Sequence, residues 1–458
     1  MQFNKLDKAM LLMLLIALCV RVPFLFIVPM VEAPDEFAHF WVTKFLSEHF
    51  AAPNAQEVVA GGPSAVYGSL PPLAYLPHVL FVQLFAPIFP SLDISFTERI
   101  GSILGGLVTV LAACQIGKLI FASNNLLRVA LPLCVALHPQ LVFVNAYCNS
   151  DSTACALASL LLLVALSAIY RGAHIRYAVF AGVLSAFIAL SKFSALAVVP
   201  AAFVAIVCAC WIYKLNVAQT LVRLGIFAGT AAAVCIPWFA RNAAVFGGDW
   251  LGTNTMRESW AKTFNRSVEP VSLSSVLKQK VWWQQLFCSF WAVYGYQKHY
   301  LPGAFYVSYL TIFAACVVGV FTQISQVLKK KTNAIVFLKR AHGKDFSAKN
   351  LFGEEHAVED QAMIDQAAWL SLALSVMLSC AGLLYAAVNN LGGPQGRYLF
   401  PSEISFMAII LLGLNALSAL SQKLGKWLVF AFVALNGITL IYSMSMLYSM
   451  FGSRLKPY

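Results

Sequence analysis

Residues 9–28 read AMLLMLLIALCVRVPFLFIV, a nearly unbroken apolar run. A hydrocarbon core about 30 Å thick takes roughly 20 such residues as one helix, so this stretch is long enough to cross a bilayer. It is longer than a signal-peptide core and lacks a small-residue cleavage site, which makes it a first span rather than a leader. Comparable runs recur to the end of the chain, at Ile100–Phe121, Val129–Tyr147, Thr153–Ile169, Tyr177–Leu190, Ala195–Tyr213, Leu224–Phe239, Pro302–Val327, Ala367–Val388, Leu399–Leu420 and Trp427–Met450. They are continuous rather than alternating, which excludes a β-barrel and predicts an all-α polytopic membrane protein of about 11 transmembrane helices. Composition agrees: 60% of the 458 residues are hydrophobic and 11% charged, more apolar surface than a water-soluble fold of this length hides.

The net charge of +12 is spread among the spans instead of forming one stripe, so nucleic acid is not an expected partner and membrane lipids are. Short segments carrying Lys5, Lys8, Lys118, Arg128, Arg171 and Arg176, and the run Lys329–Lys331, fall on one side, which the positive-inside rule makes cytoplasmic. The expectation is a single integral membrane domain over 1–458, N-terminus inside. It has a first outer loop at 29–98, a second outer loop at 240–301 and a cytoplasmic loop at 328–366. An odd number of spans puts Arg454 and Lys456 outside, against the charge rule. Pro71–Phe89 is apolar but proline-broken, and a crossing there would invert every later segment, so it is read as a helix lying at the interface. Most of the 11 cysteines lie in apolar runs and behave as small core residues; Cys148 and Cys288 are the one candidate pair for a bridge, and free thiols are the favoured reading.

Chemistry concentrates in the outer loops. Glu32, Asp35, Glu36 and His39 crowd the segment Val31-Glu32-Ala33-Pro34-Asp35-Glu36-Phe37-Ala38-His39-Phe40. Proline followed by two acids reads as a helix start that fixes carboxylates at the membrane surface; on spacing alone an acidic cap is an equal alternative. Lys192 and Arg241 follow spans, and Arg397-Tyr398 closes the Gly-rich segment Asn389-Asn390-Leu391-Gly392-Gly393-Pro394-Gln395-Gly396. Each base taken alone reads as one that snorkels to headgroups. Together, a carboxylate and several cations on one face are what transfer from a lipid-linked sugar phosphate needs: a general base for the acceptor and positive charge for the departing phosphate. Asn149-Ser150-Asp151 reads first as a helix cap and second as a sugar or ion ligand. Trp282, Trp283, Trp291, Tyr294, Tyr296 and Tyr300 read as an interfacial aromatic belt, with stacking on sugar as the alternative.

These pieces, with Ser191-Lys192, Arg241-Asn242, Phe246-Gly247-Gly248-Asp249, Ser289-Phe290-Trp291 with Gly295, and Gln395-Gly396-Arg397-Tyr398-Leu399-Phe400-Pro401, resemble in the same order a bacterial family of multi-spanning membrane proteins of unassigned function. That family is similar to the GT-C class of glycosyltransferases. Ser69-Leu70-Pro71-Pro72-Leu73-Ala74-Tyr75 resembles the interfacial helix of relatives such as the aminoarabinose transferase of lipid A and the protein O-mannosyltransferases. One departure is Ala33, where many members have a second proline.

The resemblance implies a GT-C-like fold and a single inverting displacement on a polyprenyl-phosphate-linked sugar. It supplies neither the sugar nor the acceptor; the expected acceptor is a cell-envelope glycan, lipid or other molecule at the outer face of the bacterial cytoplasmic (inner) membrane. It implies Asp35 as base with Glu36 second, Glu32 and His39 as orienting groups, and Lys192, Arg241 and Arg397 as phosphate ligands. Tyr398, Asn149 and Asp151 complete the candidate substrate-binding set. A divalent cation, Mg or Mn, is used by some of the class and not others, and the motif does not decide. Two other functions compete: a transporter or flippase of lipid-linked glycans, against which stands the lack of a visible inverted repeat, and a non-catalytic envelope-assembly subunit.

Overall fold

The computed structural model describes residues 7–30, 32–91, 93–265, 269–341 and 352–452, with side chains apart from those of 264, 324 and 326–360. Arg454 and Lys456, on which the side of the C-terminus turned, lie outside the described residues.

The chain is helical. In order come α1 (Lys8–Ile27), α2 (Glu36–His49), α3 (Ala55–Gly61), α4 (Leu76–Phe85), α5 (Ile94–Ile120), α6 (Asn125–Leu137), α7 (Pro139–Val144), α8 (Asp151–Arg171) and α9 (Ile175–Ala189). There follow α10 (Val199–Ile212), α11 (Val217–Val245), α12 (Thr253–Phe264), α13 (Leu273–Lys278) and α14 (Lys280–Trp291). A short hairpin, β1 (Val293–Tyr294) with β2 (His299–Tyr300), leads to α15 (Gly303–Ala341), α16 (Phe352–Val388), α17 (Glu403–Ala416) and α18 (Gln422–Phe451). Among the described residues nine helices are long and apolar enough to cross a membrane, and α6 and α9 are shorter apolar helices where two further spans are expected.

Departures from the sequence expectation have local causes. The predicted span Val129–Tyr147 is broken at His138, where Pro139 cannot continue the α6 ladder and starts α7 instead. From either side α15 and α16 extend into the expected cytoplasmic loop 328–366, of which 342–351 lies outside the described residues. Pro71–Phe89 folds as a 3₁₀ turn, Leu73–Tyr75, followed by α4. On α4 the stripe Leu76, Leu80, Leu84 is exposed while His78 and Val82 are buried, the two-faced pattern of a helix lying on the bundle with an apolar surface turned outward. All eleven cysteines, Cys148 and Cys288 included, are free thiols.

Caps fix where several helices begin. Asp7 accepts from Met10 N at 2.8 Å, and Asn54 with Glu57, like Asn216 with Gln219, closes a reciprocal capping box. The centre of the bundle is α8, 89% of whose apolar window is buried, whereas for α11 the figure is 6%, so α11 is the peripheral helix. Glycines let the central helices touch: a Cβ on Gly105 of α5 would come 2.7 Å from the Ser152 carbonyl oxygen of α8. The fully buried Arg21 of α1 has no carboxylate partner among the described residues; its guanidinium donates to Asn145 Oδ1 at 3.1 and 3.2 Å and to the carbonyls of Ala17 and Ala136 at 3.1 Å. Carbonyl and amide dipoles thus solvate a cation that the apolar interior does not, and α1, α6 and the 145 turn are held together.

Aromatics of the 240–301 loop divide. Trp291 stacks on Tyr309 with centroids 4.0 Å apart, and Tyr294 and Trp282 are buried, so these belong to the core. Trp283, Tyr296 and Tyr300 are exposed and remain available to an interface.

Candidate active site

Asp35 sits at the N-cap position of α2 with φ 62° and ψ 6°, a left-handed conformation that costs a non-glycine residue free energy. Its side chain makes no capping hydrogen bond. Oδ2 instead accepts from Arg397 Nη2 at 2.7 Å, and Oδ1 takes no hydrogen bond from the described residues. The strained backbone therefore aims the carboxylate away from its own helix, and the cap alternative does not describe Asp35.

Glu36, the next residue, has a different environment. Both carboxylate oxygens are held by Arg99 of α5 at 2.7 Å, with the Glu36 side chain fully buried and that of Arg99 3% exposed. The Cys148 amide adds a third donor at 3.2 Å, and Arg99 also donates to the Val28 and Leu25 carbonyls. Glu36 was expected as a second base. Its position is that of a bracket tying the start of α2 to α5 and to the end of α1, with no face open to a reactant.

From Arg397 the contacts run onward. The residue lies in the 3₁₀ turn Gly396–Ser402 before α17; Nη1 donates to the Tyr147 hydroxyl at 3.2 Å and lies 3.7 Å from Asp151 Oδ2. Asp151 Oδ1 accepts from Lys192 Nζ at 2.6 Å. Lys192 Nζ and Arg397 Cζ are 5.5 and 5.8 Å from the ring centroid of Tyr398, whose π face favours cations. Four charged residues from four separate segments thus form one line, Asp35–Arg397–Asp151–Lys192, with two positive and two negative charges. Burial pulls the Lys192 pKa below the ordinary lysine value, with Asp151 opposing.

His39, one turn beyond Asp35, is buried against Tyr67, ring centroids 4.7 Å apart, and its Nδ1 pairs with the Tyr75 hydroxyl at 2.8 Å. Burial, and then the nearby charges of Lys192 and Arg397, hold its pKa well below the usual imidazole value, so the ring is neutral at pH 7. Glu32 lies in the preceding turn, beside Gly295, where an added Cβ would come 3.4 Å from the Glu32 carbonyl oxygen. Asn149 does the capping read from the sequence: its Oδ1 accepts from Ser152 N at 2.9 Å and its amide nitrogen donates to the Val144 and Tyr147 carbonyls.

Arg241 was expected beside Lys192 and Arg397, and it takes other partners. Its guanidinium donates to the carbonyls of Ala52 and Pro53 at 2.8 and 2.7 Å and lies over the Trp238 and Phe246 rings. It clasps the link between α2 and α3, because α11 delivers it to that part of the loop.

Residues the sequence reading passed over include Arg99, Tyr147 and the buried pair His138–Glu403, Nδ1 to Oε1 2.8 Å, which joins the α6–α7 break to the start of α17. The signal for His138 and Glu403 was available: an ionisable residue inside an apolar run needs a partner; Arg99 stands just outside its run, beside Glu98. Nothing in the sequence marked Tyr147.

A narrow cleft of about 20 Å³, room for about one water molecule, adjoins the cluster and is lined by Pro34, Tyr147 and Arg397 together with Gln140, Ser289 and Gln395. Among the described residues no group of three or more His, Cys, Asp or Glu side chains is placed to hold a metal ion. Asp35 and Asp151 are each engaged by a cationic side chain, an arrangement that does not fit a divalent ion.

Comparison with protein-family models and with curated proteins gives no match. Among solved structures the chain is similar to ArnT from Cupriavidus metallidurans bound to undecaprenyl phosphate, at 14% identity and a TM-score of 0.43, over 98% of this chain and 81% of that one. The same ArnT in the apo state aligns at 13% identity and a TM-score of 0.41, over 94% of this chain and 77% of that one.

Proposed function

We propose that this chain is a membrane glycosyltransferase that moves one sugar from a polyprenyl-phosphate carrier to an acceptor at the outer face of the bacterial cytoplasmic membrane. The acceptor is a hydroxyl of a cell-envelope glycan, lipid or other molecule. The observation that carries this reading is the line Asp35–Arg397–Asp151–Lys192, in which a carboxylate with one open oxygen stands beside two cations. The order of its motifs, which resembles that of GT-C-like membrane proteins, supports the same reading.

In the proposed reaction the phosphate of the donor takes hydrogen bonds from Arg397 and Lys192, competing there with Asp35 and Asp151. The acceptor oxygen forms a bond to the anomeric carbon while the bond from that carbon to the phosphate oxygen breaks, its electron pair leaving on polyprenyl phosphate. The acceptor's proton passes to Asp35. One displacement inverts the anomeric centre. Arg397 contributes most where charge develops, since fixed donors in a low-dielectric site need no reorganisation as the phosphate departs.

Incubating the purified chain with labelled polyprenyl-phosphate sugars and lipid or glycan acceptors tests this. Transfer is expected with wild type and not with Asp35→Asn or Arg397→Ala; transfer at full rate by Asp35→Asn overturns the assignment. Movement of intact donor across sealed vesicles without bond cleavage would assign the chain to transport instead.

A further inference from the structure

The turn that carries Arg397 is gripped at both ends by the last turn of α14. At its start, Ser289 Oγ accepts from Gly396 N at 2.9 Å and donates to the Pro394 carbonyl at 3.2 Å, and Gly396 lies against the backbone of Phe290. At its end stands Glu403, the first residue of α17, whose Oε1 is 2.8 Å from His138 Nδ1. The other ring nitrogen, Nε2, is 2.7 Å from the Phe290 carbonyl. His138 therefore bridges the Phe290 backbone to the far end of the turn, and Arg397 lies between the two attachments.

Both side chains of the pair are fully buried. A carbonyl only accepts, so His138 Nε2 carries a hydrogen, and Nδ1 shares a second one with Glu403 Oε1. Phe290, Trp291 and Phe400 wall the ring, with centroids 5.0, 5.4 and 5.5 Å away. His138 reaches this place because Pro139 breaks the α6 ladder directly after it; the chain then runs through α7 to Tyr147, whose hydroxyl accepts from Arg397 at 3.2 Å. Stability does not account for the pair, since packed apolar side chains in place of a buried pair are often neutral or stabilising. Glu403 Oε2, moreover, is buried with no hydrogen-bond partner among the described residues, a cost that apolar packing avoids. What two hydrogen bonds of fixed direction add is geometry.

Resting on the reading of Arg397 as a phosphate ligand, we propose that His138 and Glu403 are positioning residues, whose pairing, bridged to Phe290, holds the Gly396–Ser402 turn where the Arg397 guanidinium meets the carrier phosphate. Among the described residues neither one makes a hydrogen bond or ion pair with Asp35, Asp151 or Lys192, so their effect on phosphate passes through the turn. A guanidinium contact is directional, and a misplacement of about 1 Å far from the chemistry can cost about 10²-fold in rate.

The test uses the full chain in lipid nanodiscs and compares binding of polyprenyl phosphate with that of the uncharged polyprenol, so that the ratio isolates the headgroup. Wild type is expected to prefer the phosphate. The double variant His138→Phe with Glu403→Leu replaces the pair by apolar side chains and should melt near wild type. It should lose roughly tenfold or more of the phosphate preference, the scale of one hydrogen bond to a charged group, with polyprenol binding unchanged. Glu403→Gln still offers Nδ1 a hydrogen-bond partner and should keep the preference within about twofold. His138→Gln, whose amide stands where Nε2 stands, keeps the Phe290 bond and lets go of Glu403; it should lose the preference too, and it supplies the readout should the double variant fail to fold. A folded pair-breaking variant that keeps its phosphate preference, equal losses for phosphate and alcohol, or a Glu403→Gln protein that loses as much as the double variant overturns the positioning role while leaving the Arg397 phosphate contact standing. Failure of both pair-breaking variants to fold overturns it as well, by making the pair a requirement of folding. Wild type with no preference for the phosphate overturns the phosphate site itself, and the positioning with it.

Discussion

Asp35 Oδ2 lies 2.7 Å from Arg397 Nη2, a contact between residues 362 positions apart in the chain. Asp35 comes from the turn before α2 and Arg397 from the turn before α17, so the pair joins an early and a late segment of the chain at one point. Asp35→Asn retains an acceptor for Arg397 and loses the proposed base. Transfer is expected to fall by about 10²-fold or more, as for loss of a general base. Asn tolerates the left-handed backbone at position 35, and Arg397 keeps Asp151 at 3.7 Å as a counter-charge, so thermal stability should change little. Initial rates and a melting curve on the same preparation check both parts.

The neighbouring carboxylate predicts the opposite pattern. Glu36→Gln removes the negative charge that two Arg99 nitrogens grip at 2.7 Å in a buried pair, a loss of roughly 3–5 kcal/mol. The melting temperature in detergent should drop steeply, with residual folded protein retaining activity. A Glu36→Gln protein as stable as wild type but inactive would reverse the roles assigned here to the two acids.

Much of this arrangement was legible in the sequence and part was not. The spans follow from apolar run length, which bilayer thickness calibrates directly, and the short helix α4 follows from the prolines that interrupt its run. Charged residues placed beside apolar runs pointed to Asp35, Lys192 and Arg397, because few places at a membrane surface tolerate both signs. What spacing cannot give is azimuth: whether α11 turns Arg241 toward Lys192 or toward the Ala52 and Pro53 carbonyls depends on how α11 packs against α9. For the same reason Asp35 and Glu36, adjacent and chemically alike, were not separable until the left-handed turn at Asp35 sent one toward Arg397 and the other toward Arg99.

Lys192 carries a pH prediction. Burial lowers its pKa, so the ammonium is lost at a lower pH than that of a free lysine, and with it the proposed phosphate ligand. The alkaline limb of kcat/KM, which reports the free enzyme, should accordingly fall before the ordinary lysine range. Arginine stays charged throughout, so Lys192→Arg should push that limb to higher pH. An alkaline limb that does not move in the variant would assign it to another group.

His39 gives a stability profile of the opposite sense. Its folded pKa is well below the unfolded value, so below about pH 6.5 the unfolded chain binds a proton that the folded chain refuses. The contribution is complete above that pH and is lost as pH falls. Melting temperature should decline from pH 7 toward pH 5, and His39→Gln should flatten that decline relative to its own pH 7 value.

Arg241→Ala removes the clasp on Ala52 and Pro53 and leaves Lys192 and Arg397 in place. Proteolysis between α2 and α3 should become faster, while affinity for polyprenyl phosphate stays within about twofold, the range of changes away from a binding contact. A large loss of affinity would return Arg241 to the phosphate.

The turn that carries Arg397 rests on the end of α14 with no room to spare: a Cβ on Gly396 would come 2.2 Å from the backbone of Phe290. A single methyl group at 396 must therefore lift the whole turn, and the guanidinium next door travels with it. Distances of 2.7 Å to Asp35 and 3.2 Å to Tyr147 have little slack, so a displacement of one ångström would undo both. The smallest residue in the motif thus sets the address of its largest charge, and Gly396→Ala would silence the cluster without altering any of its four ionised groups.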